Sequence, residues 1–408
     1  MWDVSFGWVG SPLRKNRDFA ALWIGQAVSH LGISISSFAY PVVVLELTGS
    51  AAKAGAVGSV LAGTAFVLRL PAGVAADRWN RRALMVACDL GRAINSAAFA
   101  VALALGYFVF AQALAVAFVE AALGVLFGPA ESASVRRVVG PERIREAVAQ
   151  NQSRTAIPGL LGPPLGGVLL SVGRALPFLA DSFSYLVSLA SVISVRSPLG
   201  GRGQPASRQT MVDSLSVGLR WIWRRRFLRT LLLWMMAGSG VWGGIGLLVL
   251  VVARDHGASA GVLGVMFAIT GAGALVGALA TPWVLRAARP HTIIISFGWL
   301  VTVSLLLLLV VQQPLLIGVL GATSLLLVPP INAIAFSVIG AEASDEIQGQ
   351  ATSAGIQLAG LGAPVAPLLM GLVLAAVGTQ PTIMIYSGIL CALAIYATIS
   401  TGLREASN

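Results

Sequence analysis

The chain has 408 residues, of which 57% are hydrophobic and only 11% charged, and a formal net charge of +11. Soluble domains carry about 25% charged residues. An ordinary water-facing surface cannot be built from this composition, which excludes a soluble enzyme or a soluble basic domain for nucleic acid. Apolar runs of about twenty residues recur along the whole length, each long enough to cross about 30 Å of hydrocarbon as a helix. In lipid the backbone groups must pair within the segment, so helix is the default. The runs are uniformly apolar and do not alternate, which argues against a transmembrane barrel.

Twelve spans are predicted in chain order, at 19–47, 54–76, 83–109, 111–131, 147–172, 176–196, 228–252, 259–285, 291–311, 314–338, 350–376 and 380–402. With the N-terminus placed in the cytoplasm, 21 of the 27 Lys and Arg fall on that side. They include Arg14, Lys15, Arg17, Arg136, Arg137, Arg143 and the cluster Arg220, Arg224, Arg225 and Arg226. Lys53, Arg174 and Arg254 face outward; Arg69, Arg92 and Arg154 lie within spans. This bias is the positive-inside rule, and it puts both termini in the cytoplasm. The basic balance therefore reports topology, and no nucleic-acid partner is expected. Cys88 and Cys391 fall in distant spans, His30, His256 and His291 are isolated, and nothing has metal-ligand spacing. No phosphate-binding loop and no cofactor motif occurs. The first apolar run is too long for a cleavable signal.

The polar stretch 197–226 divides the spans six and six. It predicts an N-terminal six-helix bundle over 1–196, a cytoplasmic central loop over 197–226 with a short amphipathic piece near Trp221 and Trp223, and a C-terminal six-helix bundle over 227–408. The halves echo each other. Gln150 and Gln350 each open a span, and Gly162-Pro-Pro164 is matched by Gly362-Ala-Pro364 at the same offset. Two six-span halves with binding at their interface is a known transporter plan. Between spans 2 and 3 lies Gly73-Val-Ala-Ala-Asp77-Arg78-Trp-Asn-Arg81-Arg82, with a degraded counterpart at 277–289.

That hinge resembles the signature loop of the major facilitator superfamily, a glycine, then aspartate-arginine, then a pair of basic residues. The resemblance covers the whole chain: twelve spans, six plus six, with the loop after span 2 and its weaker copy after span 8. Asn16-Arg-Asp-Phe19 with Leu22-Trp23, Glu46-Leu-Thr-Gly-Ser50, Phe127-Gly-Pro-Ala130 and Ala149-Gln-Asn151 look like the branch of macrolide-efflux proteins and the enterobactin exporter. The implied fold is all-α, twelve transmembrane helices in two pseudo-symmetric bundles. The hinge residues carry over to Gly73, Asp77, Arg78, Arg81 and Arg82. Gly73 would permit close helix packing. Asp77 would face the start of span 11 at Gln350, Thr352 and Ser353, where the helix end is positive. Arg78, Arg81 and Arg82 would anchor to phosphate headgroups and to Glu342, Asp345 or Glu346. Together they form a cytoplasmic latch, the alternative being a merely solvated charge run. Span 5 carries Gly162, Pro163, Pro164, Gly166 and Gly167, which resembles the antiporter motif of drug exporters. Proline and glycine there predict a bend packed against Gly362–Pro367. The family's upstream glycines are missing, with Ala149 and Pro158 at those places.

Ionisable groups deep in a span usually face a cavity or a partner. Glu120 lies mid-span, four residues before Gly124. Related antiporters place arginine at that spacing. Either the charge logic is reversed here, Glu120 itself carries the proton, or it is a neutral, hydrogen-bonded glutamate. The aspartate that relatives place after the span-1 glycine is replaced by Ile33 after Gly32. Arg154 and Glu131 can neutralise each other. Asp89 and Arg92 can share a helix face, joined by Arg69, and Asp181 can bind its own span end. Glu120, Glu131 and Arg154 are the proton-coupling candidates. Trp234, Trp242, Phe267, Asn332 and Gln357 are the cavity candidates; an aromatic, sparsely polar cavity suits a bulky amphiphile, neutral or cationic. The expected protein is a secondary exporter of a lipophilic or amphiphilic small molecule in the cell membrane, driven by protons, contacting lipids and working as a monomer. A non-transporting sensor or a lipid or metabolite uniporter is the alternative; catalytic motifs for a membrane enzyme are missing.

Overall fold

The computed structural model describes residues 16–199 and 208–404. Arg14, Lys15 and the middle of the central loop lie outside the described residues, as do the side chains of Ala149 and Asp345. The described chain is helical, with no strand in it. The first half runs through α1 (Arg17–Thr48), α2 (Ala51–Arg78), α3 (Arg81–Ala104), α4 (Phe110–Val139), α5 (Ile144–Val172) and α6 (Leu176–Ser194). The amphipathic α7 (Arg208–Trp223) follows. The second half comprises α8 (Arg226–Asp255), α9 (Ala260–Ala287), α10 (Pro290–Leu307), α11 (Pro314–Leu325), α12 (Val328–Glu342), α13 (Asp345–Ala359), α14 (Ala366–Val377), α15 (Thr379–Ile399) and the short α16 (Thr401–Arg404).

Ten of these segments are long and apolar enough to cross a membrane, α11 and α12 counting as one. The other two expected spans have shorter apolar cores, Ile157–Val172 within α5 and Ala366–Val377 in α14. Large apolar side chains such as Ile94, Val168 and Phe183 stand exposed on the helices. Only a hydrocarbon solvent makes such a surface stable, so the protein is a multi-pass membrane protein.

The motifs that gave the branch resemblance are structural joints. Asn16 caps α1, accepting from the Phe19 amide at 3.1 Å, and donates to the Val138 carbonyl at the end of α4. Asp18 accepts from the Arg196 and Ser197 amides and from the Ser197 hydroxyl. Gly49 takes the left-handed conformation, with φ +62°, between α1 and α2, and the Ser50 hydroxyl receives the Lys53 amide at the start of α2.

The chain groups into two compact units. The first holds residues 1–39 and 67–207, the second 40–66 and 208–408. The helices α1 and α2 are therefore shared along their length. In the first unit, Gly25 and Gly32 of α1, one heptad apart, leave space that Ser191 and Ser184 of α6 fill. Gly162 of α5 lies against Ser34 of α1, and Gly166 against Ile35 and Phe38. In the second unit, Gly362 lies against Met236 and Gly240 of α8, and its amide donates to the Ser239 hydroxyl at 3.1 Å. Residues 51–63 of α2 are rich in Ala and Gly. Gly55 and Gly58 receive Pro367, and Ser59 accepts from the Leu368 amide at 2.9 Å.

Each glycine-proline segment is occupied inside its own unit, α5 by α1 and the α13–α14 segment by α8. Pro163 and Pro164 leave α5 continuous to Val172, whereas the counterpart breaks between Ala359 and Ala366.

Candidate functional site

The helices α3 and α6 carry polar residues at helical spacing, Asp89, Arg92 and Ser96 on one and Asp181, Tyr185 and Ser188 on the other. Their polar stripes meet in the buried interior of the first unit. Arg92 donates to Glu120 Oε1 of α4 from Nε at 2.9 Å and from Nη2 at 2.5 Å. Nη2 also reaches the Tyr185 hydroxyl at 2.5 Å, and that hydroxyl donates to the same Glu120 oxygen. The Arg92 guanidinium lies 4.1 Å from the Tyr185 ring centroid, a cation–π contact. It also lies across Gly124, 3.5 Å from where a Cβ there would stand. Glutamate and glycine one turn apart on α4 thus serve one arginine: Glu120 neutralises it and Gly124 makes room for it. The arginine sits on α3 and the carboxylate on α4.

Asp89 does not pair with Arg92, because Glu120 does. Its Oδ2 accepts from the Ser188 hydroxyl at 2.6 Å, and Ser188 accepts from Gln26 of α1 at 2.7 Å. Arg69 is exposed on α2 and does not join them. Glu131 and Arg154 form an ion pair at 2.6 Å. Asp181 does not bind its own helix end. Its Oδ2 stands 3.4 Å from the Ser96 hydroxyl, and its Oδ1 is buried without a hydrogen bond against Gly32. Tyr185, Ser96, Ser188 and Gln26 were missed by sequence reading; the polar stripes on spans 3 and 6 were the signal that could have found them.

Two cavities are lined by described residues of the second unit. The larger, about 450 Å³, is lined by Trp234, Trp242, Phe297, Asn332, Ser239 and neighbouring apolar residues, with no ionisable side chain on its wall. Trp234 anchors it, donating to the Leu393 carbonyl at 3.0 Å, and Phe297 meets both indoles at centroid distances of 6.0 and 5.9 Å. The smaller, about 250 Å³, is lined by Phe267, Thr270 and Ser304 and shares Trp242 and Val301 with the larger. Trp234, Trp242 and Asn332 thus share one cavity, and Phe267 lies on the other. Gln357 lines neither; it follows Ile356 of the larger wall, and its Oε1 is buried without a hydrogen bond.

The hinge residues end α2 and begin α3. Asn80 caps α3, accepting from the Ala83 amide at 3.1 Å. Two expectations are corrected. A Cβ on Gly73 would meet nothing within 4 Å, so this glycine holds no close helix approach. Arg82 donates to the carbonyls of Val195 and Ser197, which satisfies backbone at the end of α6. Glu342, an expected partner of the hinge, is bound by Arg225 at 2.6 Å, whose guanidinium stacks 3.5 Å above Trp221. Asp77 is half-buried, and Arg78 is exposed.

A family model described as transmembrane secretion effector matches residues 8–329. The multidrug efflux pump Tap of Mycobacterium tuberculosis is 28% identical over 366 residues, 86% of each chain. Tap of Mycolicibacterium fortuitum is 28% identical over 405 residues, 95% of each. The enterobactin exporter EntS of Escherichia coli is 24% identical over 397 residues, 88% of each. Among solved structures, nucleoside transporter NupG matches with a TM-score of 0.71 at 16% identity, over 93% of this chain and 98% of that one. A bacterial homolog of the human lysosomal transporter Spinster matches with a TM-score of 0.68 at 13% identity, over 97% and 96%. At such identity the structural likeness is one of fold. The helices, the hinge and the family match lead to one conclusion: the chain belongs to the transmembrane secretion effector family of the major facilitator superfamily and is a transporter, not an enzyme.

Proposed function

We propose that the protein exports a lipophilic or amphiphilic small molecule, drug-like, macrolide-like or siderophore-like, by proton antiport with alternating access. The observation that carries this reading is the larger cavity. At about 450 Å³ it falls in the size range of small-molecule sites. Its wall offers aromatic faces, one amide and one hydroxyl, and no fixed charge. Aromatic faces attract an apolar body or a soft cation. A polyanion would need several arginines there.

The buried ionic network of the first unit supports proton coupling, since charge is kept inside a membrane bundle at considerable cost unless it is used. Glu120, Glu131 and Arg154 belong to that network as members of ion pairs. The names of the relatives, a multidrug efflux pump and an enterobactin exporter, support outward transport. The protein sits in the cell membrane with both termini in the cytoplasm and works as a monomer. Asp77, Arg78 and Arg81 act as the cytoplasmic latch, while Arg82 ties the start of α3 to the end of α6. Gly162, Pro163, Gly166 and Gly167 keep α5 tight against α1 and limit leak.

Everted membrane vesicles with an acid lumen test this directly. They should accumulate ethidium and release it when nigericin collapses the pH gradient. Trp242→Ala should raise the half-saturating ethidium concentration several-fold. Ethidium binding without any gradient-driven flux would replace the transporter reading by a sensor.

A further inference from the structure

Among the described residues, four carboxylates are buried in the first unit, Asp89, Glu120, Glu131 and Asp181, against two guanidinium groups, Arg92 and Arg154. Glu120 belongs to Arg92 and Glu131 to Arg154. Two carboxylates remain without a cation of their own. Unpaired buried charge in a membrane bundle is strongly unfavourable, so a surplus carboxylate either carries a proton or is held by hydrogen-bond donors.

Donor distance separates the two, 2.6 Å at Asp89 against 3.4 Å at Asp181. A hydroxyl has one proton to give. Ser188 gives its proton to Asp89 Oδ2 at 2.6 Å and is itself served by Gln26 at 2.7 Å, while Asp89 Oδ1 is buried without a hydrogen bond. Around Asp181 the hydroxyls of Ser96, Ser36 and Tyr185 approach its carboxylate, and each also has a second acceptor. Ser96 of α3 donates to the Phe178 carbonyl at 3.0 Å and reaches Asp181 Oδ2 only at the longer 3.4 Å. Ser36 of α1 donates to the Ile33 carbonyl at 3.2 Å. Tyr185 of α6 donates to Glu120. Ser184 donates to the Asp181 carbonyl, not its carboxylate. The charged or titratable groups facing Asp181 are Arg92 from α3, Glu120 from α4 and Tyr185 from its own helix; α1 presents only Ser36 and the backbone at Gly32. A protonated Asp181 completes a chain, donating to Ser96 Oγ while Ser96 donates to the Phe178 carbonyl. An ionised Asp181 leaves Oδ1 buried without a hydrogen bond and holds Oδ2 through the long 3.4 Å approach of Ser96.

We propose that Asp181 is the proton-binding carboxylate of this protein, a reading that rests on proton antiport for its use in transport. A proton from water forms an O–H bond on the carboxylate. On release that bond breaks and the proton returns to water. Glu120 stays as the fixed partner of Arg92 throughout. Asp181 faces Gly32 and Ser36 of α1, and α1 belongs to the first unit up to Ala39 and to the second from Tyr40. The protonation state is thereby felt by a helix common to both units.

Two measurements on the full chain test this. In pH-difference infrared spectra of the purified protein, a buried protonated-carboxyl carbonyl band is expected. It should vanish in Asp181→Asn and persist in Asp89→Asn. A band unchanged in Asp181→Asn, or lost in Asp89→Asn instead, would overturn the proposal. In proteoliposomes, Asp181→Asn should keep ethidium equilibrium exchange but lose its response to an imposed pH gradient, and Asp181→Glu should recover part of that response. Gradient-driven flux retained in Asp181→Asn would overturn it, as would loss of exchange in both variants, the signature of a merely structural residue. Wild-type protein with the band but no gradient response would leave the proton site standing and remove the antiport reading.

Discussion

Glu120 and Gly124 have one explanation between them, the guanidinium of Arg92. Glu120 stood out in the sequence because a carboxylate in mid-span is rare. Its partner could not be read, since Arg92 lies 28 positions away on another helix. Asp89, three residues from Arg92, was the nearer candidate by sequence, but a shared helix face does not decide which partner a side chain reaches. The Glu131–Arg154 pair was legible because both lie near the same ends of consecutive spans. Breaking a buried pair by removing one member costs about 3–5 kcal/mol. Arg92→Met should therefore lower the unfolding free energy in detergent by an amount of that order, and Arg92→Met with Glu120→Gln should recover much of it. Gly124→Ala should be close to neutral, because a Cβ there would stand 3.5 Å from the guanidinium, an ordinary contact. Gly124→Leu should displace Arg92 and resemble the loss of the pair.

At the level of elements, the repeat seen as Gly162-Pro-Pro164 and Gly362-Ala-Pro364 marks equivalent joints in the two halves. Each packs against the first helix of its own half, α1 or α8. The offset was readable; the neighbour inside each unit was not, because a glycine-rich face states that a backbone comes close without saying which one. The difference between continuous α5 and the broken α13–α14 segment was likewise hidden, since both sequences hold glycine and proline. A Cβ on Gly362 would lie 2.5 Å from the Gly240 nitrogen and 2.7 Å from the Met236 carbonyl oxygen. Overpacking of this kind costs about 1–3 kcal/mol, so Gly362→Ala should lower thermal stability in detergent. Gly73→Ala is the contrast. Nothing stands near it, and replacing a helical glycine gains about 0.5–1 kcal/mol, so its midpoint should hold or rise.

For the whole molecule, fold and family were legible from apolar run length, the six-plus-six division and the hinge, because hydrocarbon thickness and unsatisfied backbone leave few alternatives. The grouping of 40–66 with the second unit was not legible; it depends on small residues of α2 meeting Pro367. The topology proposed from charge bias makes a direct prediction. Lys53→Cys should react with a membrane-impermeant maleimide on intact cells, and Arg289→Cys only after permeabilisation. Native Cys88, buried in α3, should stay unlabelled under both conditions. The most direct test of proton-coupled export is to impose an ethidium gradient on proteoliposomes that begin with no pH difference. Protons should then move against the direction of ethidium flow, acidifying the side from which the dye departs. Ethidium flow with no accompanying proton movement would contradict it.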